Sequence, residues 1–229
     1  LPELGMLQAC ERLGTAFVRL NWLTILAKQL YRVGLGHSRV VFFQNTADQA
    51  EFVGARRVSP AQARLLPGSG IDPEWFAPRA RDPRSDGTLH FLLIARLLRD
   101  KGIIEYVEAA RALRRADPRL RFRILGFLDA ENRTAIDRAT VEAWVAEGII
   151  EFLGASSDVR PHIAAADCVV LPSYREGTSR VLLEAAAMAR AIVASDVPGC
   201  REVVEDGVTG LLCAARDAGD LAEKLGRMA

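Results

Sequence analysis

The sequence predicts an α/β protein built on a parallel sheet covered on both faces. Three observations predict it. From residue 89 onward, short apolar runs alternate with helical patterns. The runs are continuously apolar, as strands buried on both faces must be. Proline and glycine punctuate the joins, with Pro118 and Gly148 closing two of the helical stretches.

Taken in order, residues 6–33 space their apolar positions three and four apart, with Arg12, Arg19, Lys28 and Arg32 between them. This predicts one or two helices. The β-branched and aromatic run RVVFFQN (39–45) predicts a buried strand. A short helix near 46–53, a short strand ending at Leu66 and a turn at 67–72 follow. Residues 73–88 hold three prolines and few apolar side chains, the composition of a linker. Strand runs then fall at 89–95, 120–126, 149–154, 167–173, 191–195 and 209–213. Helical patterns lie between them in IIEYVEAARALRRA, a stretch ending VEAWVAEG, VRPHIAAA, TSRVLLEAAAMA and CREVVED, with a last one in DAGDLAEKLGRMA. The organisation expected is a partial amino-terminal domain with linker over 1–80 and a second domain over 81–229. The leucine at residue 1 and the uncapped last helix read as the ends of a fragment.

Composition sets bounds on partners. Half of the 229 residues are hydrophobic, enough for a sizeable core. A formal net charge of +1 argues against a broad polyanion-binding surface, so no nucleic-acid partner is expected. Cys10, Cys168, Cys200 and Cys213 lie far apart without a C-x-x-C pair, and there are three histidines, so no structural zinc site is expected. Cys168 and Cys213 fall in apolar strand runs, as small buried thiols of a reducing compartment do. No apolar run reaches the ~18–20 residues needed to cross a bilayer. The chain is expected to be soluble, or at most to lie against a membrane through the basic residues of its first helical region. Of the two readings of those residues, a solvated helix face is preferred over membrane contact.

In a parallel α/β sheet, ligands bind where strands end and helices begin. Two motifs fall on that rim. Arg96 ends the strand at 89–95, and Lys101 follows just before a helix. An arginine fork, a lysine point charge and a helix N-terminus together suit a diphosphate. Arg99 lies between them with similar chemistry, so spacing alone leaves the choice open. The second motif is PSYREGTSRVLLEAAAMA (172–189). Gly177 lets a ligand approach the backbone, and Thr178 or Ser179 caps the next helix. Glu176 precedes that turn and can accept from sugar hydroxyls. Glu184 lies in a helix nearly apolar all round, where an unpartnered buried carboxylate is costly. A ribose, donating two hydroxyls, would satisfy it. The pattern fits a nucleotide sugar. His37, His90 and His162 have no companion acid at motif spacing, no G-x-S-x-G occurs, and GSGIDP (68–73) lacks the third glycine of a dinucleotide fingerprint.

These motifs, with LPGSGIDPEWFAP (66–78), IARLLRDKG (94–102) and DVPGCREVVEDGVTGLL (196–212), resemble the family 4 retaining glycosyltransferases. The subset resembled builds bacterial capsule, O-antigen or lipid-linked oligosaccharides. The resemblance implies the GT-B architecture: a Rossmann-like carboxy-terminal domain that binds the donor, with 1–64 the remnant of a second such domain. It implies that Arg96 and Lys101 hold the donor diphosphate and that backbone groups of Gly177, Thr178 and Ser179 line it. Glu176 would contact the donor sugar and Glu184 the ribose. It further implies a UDP-sugar donor, no metal cofactor, a polyprenyl-linked or glycan acceptor, and work at the cytoplasmic face of a membrane. Ala189 and Ala191 stand where the family usually has glycine and proline. The alternative is a truncated nucleotide-sugar-binding module without transfer activity. An epimerase or a dehydrogenase fits the motifs less well.

Overall fold

The computed structural model describes residues 22–66, 68–79, 86–128 and 132–229. The start of the first helical reading, with Cys10, Arg12 and Arg19, lies outside the described residues, as do Pro67 and the linker segment 80–85. The amino-terminal unit comprises α1 (Trp22–Gly36), β1 (Val41–Phe43), α2 (Thr46–Gly54) and β2 (Ala63–Leu65). β1 and β2 pair in parallel, and Leu35, Phe43, Phe52, Val58 and Ala63 close a small core beside them.

The larger unit runs β3 (Leu89–Ile94), α3 (Ile103–Ala116), β4 (Leu120–Leu125), α4 (Arg138–Ala146), β5 (Glu151–Phe152) and α5 (Arg160–Ala164). It continues through β6 (Cys168–Leu171), α6 (Arg180–Ala187), β7 (Ala191–Ser195), α7 (Pro198–Arg201), β8 (Leu211–Cys213) and α8 (Ala218–Gly226). Its six strands form one parallel sheet in the order β5-β4-β3-β6-β7-β8. Period-two alternation divides the inner strands between two cores. Phe91 and Leu93 face the side covered by α3, α4 and α8, while Leu92 and Ile94 face α5, α6 and α7. Phe91 stacks on Phe122 with centroids 5.1 Å apart, and the buried Tyr106 hydroxyl donates to Phe91 O at 3.0 Å. Truncating Phe122 to alanine would cost about 3–5 kcal/mol.

The strand order carries the functional consequence. The chain moves outward from β3 through β4 to β5, then crosses back to place β6 on the other side of β3. Where the winding reverses, the loops after β3 and β6 diverge to opposite faces and leave a crevice at the carboxyl ends.

Two expectations shift. The helix read in CREVVED starts earlier, at Pro198, whose fixed φ suits a first turn, and it ends at Arg201. Beyond it, Asp206 accepts the Leu212 N–H at 2.8 Å and draws the chain into β8. The linker composition at 73–88 also conceals an anchored turn. Asp72 Oδ1 accepts from the Glu74 and Trp75 N–H groups at 2.9 and 3.1 Å, and Phe76 is buried in the α5–α6 core. Cys168 and Cys213 are buried free thiols, as read, and burial pushes both up to about 12.

Candidate functional site

The crevice between β3 and β6 is built on backbone contact. After β3 the chain makes a 3-10 turn, Arg99–Lys101, and Gly102 then takes a left-handed φ of 71° to enter α3. A Cβ on Gly102 would stand 2.0 Å from Pro172 O, so the exits of β3 and β6 touch directly. Asp100 O accepts the Tyr174 N–H at 2.9 Å and the Ser173 hydroxyl at 3.2 Å. Ser195, at the end of β7, donates to Ser173 O at 2.6 Å. A Cβ on Gly199 would meet Gly177 O at 1.6 Å. The loop between β6 and α6 is therefore fixed by the exits of its two neighbouring strands, β3 and β7.

On this frame Lys101 Nζ donates to Glu176 Oε1 at 2.7 Å. The pair is well sheltered, with the lysine side chain 24% and the glutamate 9% exposed. Two charged groups 75 residues apart thus meet at the point where the winding reverses. Arg96 follows β3 and is half-buried, while Arg99 is exposed. Beside Arg96, a Cβ on Gly126 would come within 1.8 Å of Ala95 O, so the loop after β4 closes tightly on this exit.

The cap of α6 is Ser179, whose Oγ accepts the Leu182 N–H at 3.4 Å. Thr178 is occupied otherwise. Its N–H donates to Gln44 Oε1 and its hydroxyl to Gln44 O, both at 3.2 Å. Further along α6, the Glu184 side chain is 9% exposed and pairs with Arg180 at 3.6 Å. Burial raises its pKa above the ordinary 4.5, and the Arg180 charge works in the opposite direction.

Glu184 and Arg180 form one wall of a cavity of about 620 Å³. Ser157, Asp158 and Val159, in the loop after β5, form a second wall, and Asp72, Trp75 and Phe76 a third. Arg96, Lys101 and Glu176 are not among its lining residues. The structure thus brings Lys101 and Glu176 together, while Glu184, further along α6, lines a separate cavity. Glu184 stands about 7.5 Å along the helix axis from the Ser179 cap. Trp75 remains 59% exposed, and the Arg160 guanidinium sits 3.6 Å from its ring centre. Asp158 holds Arg160 through bonds of 2.8 and 2.7 Å, which lower its own pKa to about 2.

Sequence reading missed Trp75, Asp158 and Gln44. The first two carried a signal: a tryptophan in an otherwise polar linker, and a serine–aspartate loop at a strand's carboxyl end. Gln44 carried none, since its contact with Thr178 spans 134 residues. Among the described residues, no group of three or more His, Cys, Asp or Glu gathers to hold a metal ion.

A family model described as glycosyl transferases group 1 matches residues 88–229. The chain belongs to the group 1 glycosyltransferases. The match spans the whole six-stranded sheet, and hence the Lys101–Glu176 contact and two walls of the Glu184 cavity; the wall of Asp72, Trp75 and Phe76 lies before it. Among curated relatives, N,N'-diacetylbacillosaminyl-diphospho-undecaprenol alpha-1,3-N-acetylgalactosaminyltransferase of Campylobacter jejuni is 29% identical over 94% of this chain and 58% of that protein. Among solved structures, sucrose-phosphate synthase from Thermosynechococcus elongatus superposes with a TM-score of 0.75 at 25% identity. That match covers 93% of this chain and 55% of the other. Anabaena HepE, solved with UDP and glucose, gives 0.73 at 21% identity over 88% of this chain and 57% of its own. The expected GT-B-type, Rossmann-like fold is therefore the observed one. The chain spans somewhat over half the length of these proteins.

Proposed function

We propose that this chain binds a nucleotide-sugar donor, UDP-linked, and takes part in transferring its sugar to a lipid-linked or polysaccharide acceptor with retention of configuration. The Lys101–Glu176 contact at the reversal of the sheet winding carries the reading. It sets a cation for a diphosphate beside an acceptor for sugar hydroxyls, one loop away from a capped helix start. Arg96 and Lys101 neutralise the diphosphate, and the backbone of Gly177, Thr178 and Ser179 lines it. Thr178 must exchange its Gln44 partner to do so. Glu184 accepts from the ribose hydroxyls, and the cavity beside it takes the rest of the nucleoside, with the Trp75 ring as an apolar surface.

The chemistry follows from what surrounds the anomeric carbon. The acceptor oxygen bonds to that carbon as its bond to the donor phosphate breaks, and the departing phosphate oxygen takes the acceptor's proton. Glu176 positions the sugar and stabilises developing positive charge without forming a bond. The two cations stabilise the leaving group, so no metal is called for. Support for the acceptor class and for retention comes from the Campylobacter relative, whose name specifies an undecaprenol-linked acceptor and an alpha linkage. An α-linked product from an α-linked donor is retention. Support for UDP comes from HepE, solved with UDP. The boundary near residue 80 separates an acceptor-side unit from the donor-binding domain. Work at the cytoplasmic face of a membrane agrees with an exposed apolar stripe on α1, Leu26, Leu30 and Val33, beside exposed Arg32. Among the described residues, no helix is long and apolar enough to cross a bilayer.

A thermal-shift panel of UDP-, GDP- and ADP-sugars tests the donor class, because a ligand that prefers the folded form raises its melting point. UDP compounds are expected to give the largest shift. In the full-length protein, radiolabelled sugar transfer should persist in EDTA and be abolished by Glu176→Ala, with UDP binding largely kept. Undiminished transfer by that variant would remove the role given to Glu176.

A further inference from the structure

The loop that carries Glu176 is gripped from outside its own domain. Arg175, immediately before Glu176, forms an ion pair with Asp48 and a second with Glu51 at 3.5 Å. Both carboxylates lie on α2 of the amino-terminal unit, three residues apart and so on one face. Thr178, two residues after Glu176, donates twice to Gln44 at the end of β1. Gly68 presses on the same residue: a Cβ there would stand 2.9 Å from Thr178 Cβ. Residues 175 and 178 therefore belong to the amino-terminal unit by contact, whereas Glu176 between them belongs to Lys101.

The anchor is preorganised. Asn45, fully buried, caps α2 by accepting the Asp48 N–H at 2.8 Å, and its amide donates to Asp48 Oδ2 at 3.0 Å. The Asp48 carboxylate is thus aimed before Arg175 arrives. A surface ion pair between two flexible side chains is worth little. Here one partner is held by a buried cap, the arginine meets two carboxylates, and a pair of hydrogen bonds closes the same segment three residues away.

We propose that Arg175 is a positioning residue, which clasps α2 to the donor loop so that the amino-terminal unit sets where Glu176 stands. This rests on the reading that Glu176 meets the donor sugar. Seating of the amino-terminal unit and placement of the sugar-contacting carboxylate then become one event. The nucleotide's side-chain partners are Arg96, Lys101 and Glu184, none of which takes part in the clasp; the Thr178 backbone is the one group shared, so loss of Arg175 should fall mainly on the sugar.

The test compares UDP with UDP-N-acetylgalactosamine and UDP-glucose by calorimetry. Wild type, Arg175→Met and the charge swap Arg175→Glu with Asp48→Arg are measured, alongside exchange protection of the Thr178 amide. Arg175→Met should leave UDP affinity within about twofold but weaken the preferred UDP-sugar about tenfold, the value of one lost charge-assisted contact. The swap should recover most of that loss, and Thr178 protection should fall in the single variant and return in the swap. Equal weakening of UDP and UDP-sugar, or no weakening, overturns the proposal, as does a swap that melts like wild type yet recovers nothing. If wild type binds none of the three ligands, the nucleotide-sugar reading fails, and with it the role given to Arg175. Thr178 protection that depends on Arg175 would still mark the clasp itself as real.

Discussion

Replacing Lys101 by methionine separates two roles that the structure superimposes. The lysine supports Glu176 at 2.7 Å, and in the proposed function it also meets the diphosphate. Loss of a charge-assisted hydrogen bond costs about 1.5–3 kcal/mol. Because Lys101 keeps 24% of its side-chain exposure, water screens part of that, and the lower end applies. In a chain of this size about 1.5 kcal/mol corresponds to a fall of about 3–6 °C in melting temperature. Lys101→Met with Glu176→Gln removes both charges and leaves none buried alone, so most of the melting temperature should return. UDP affinity should behave differently. It should drop at least about tenfold in Lys101→Met, equivalent to about 1.4 kcal/mol, and stay low in the double variant. Thermal melts and calorimetry on the three proteins decide the matter. A double variant that regains wild-type UDP affinity would mean that Lys101 serves only Glu176. An unchanged melting temperature in the single variant would mean that the contact contributes nothing to the fold.

Two other outcomes are expected. Ala189 takes a left-handed φ of 54° just after α6, a conformation that costs an L-residue about 1–2 kcal/mol; glycine's greater freedom in the unfolded chain offsets about 0.4–1 kcal/mol of that, so Ala189→Gly should stabilise by about 1 kcal/mol net and raise the melting temperature by about 2–4 °C. A fall would contradict that strain argument. Glu184 has a raised pKa, so the folded state binds its proton more tightly than the unfolded chain does. Without ligand, the burden of the buried charge is fully present above that raised value and is relieved as pH falls through it. Ribose binding needs the carboxylate, so UDP affinity should weaken with falling pH, beginning above the ordinary 4.5. Calorimetry across that range should find the slope in wild type and not in Glu184→Gln; the same slope in both would remove Glu184 from the site.

Much of the larger unit was legible because local and tertiary signals agree there. The pattern IIEYVEAARALRRA lies between Gly102 and Pro118, and the helix occupies Ile103–Ala116. The inner apolar runs, β3, β6 and β7, became strands because they are buried on both faces. Burial of Glu184 was also readable, from the leucines and alanines around it. Strand order was not. Nothing local says that β6 returns beside β3, yet that return is what brings Lys101 to Glu176. The turn at 72–76 was hidden by composition, since one buried aromatic, Phe76, outweighs the prolines around it. The contacts of Gln44, Asp48 and Glu51 with the donor loop join distant segments through ordinary polar residues, and no spacing rule finds such pairs.

A structure of the chain with UDP bound tests the central claim most directly. The ribose hydroxyls are expected within hydrogen-bonding distance of the Glu184 carboxylate, and the diphosphate against Lys101 at the start of α6. UDP seated elsewhere, with Lys101 and Glu184 both untouched, would contradict the account.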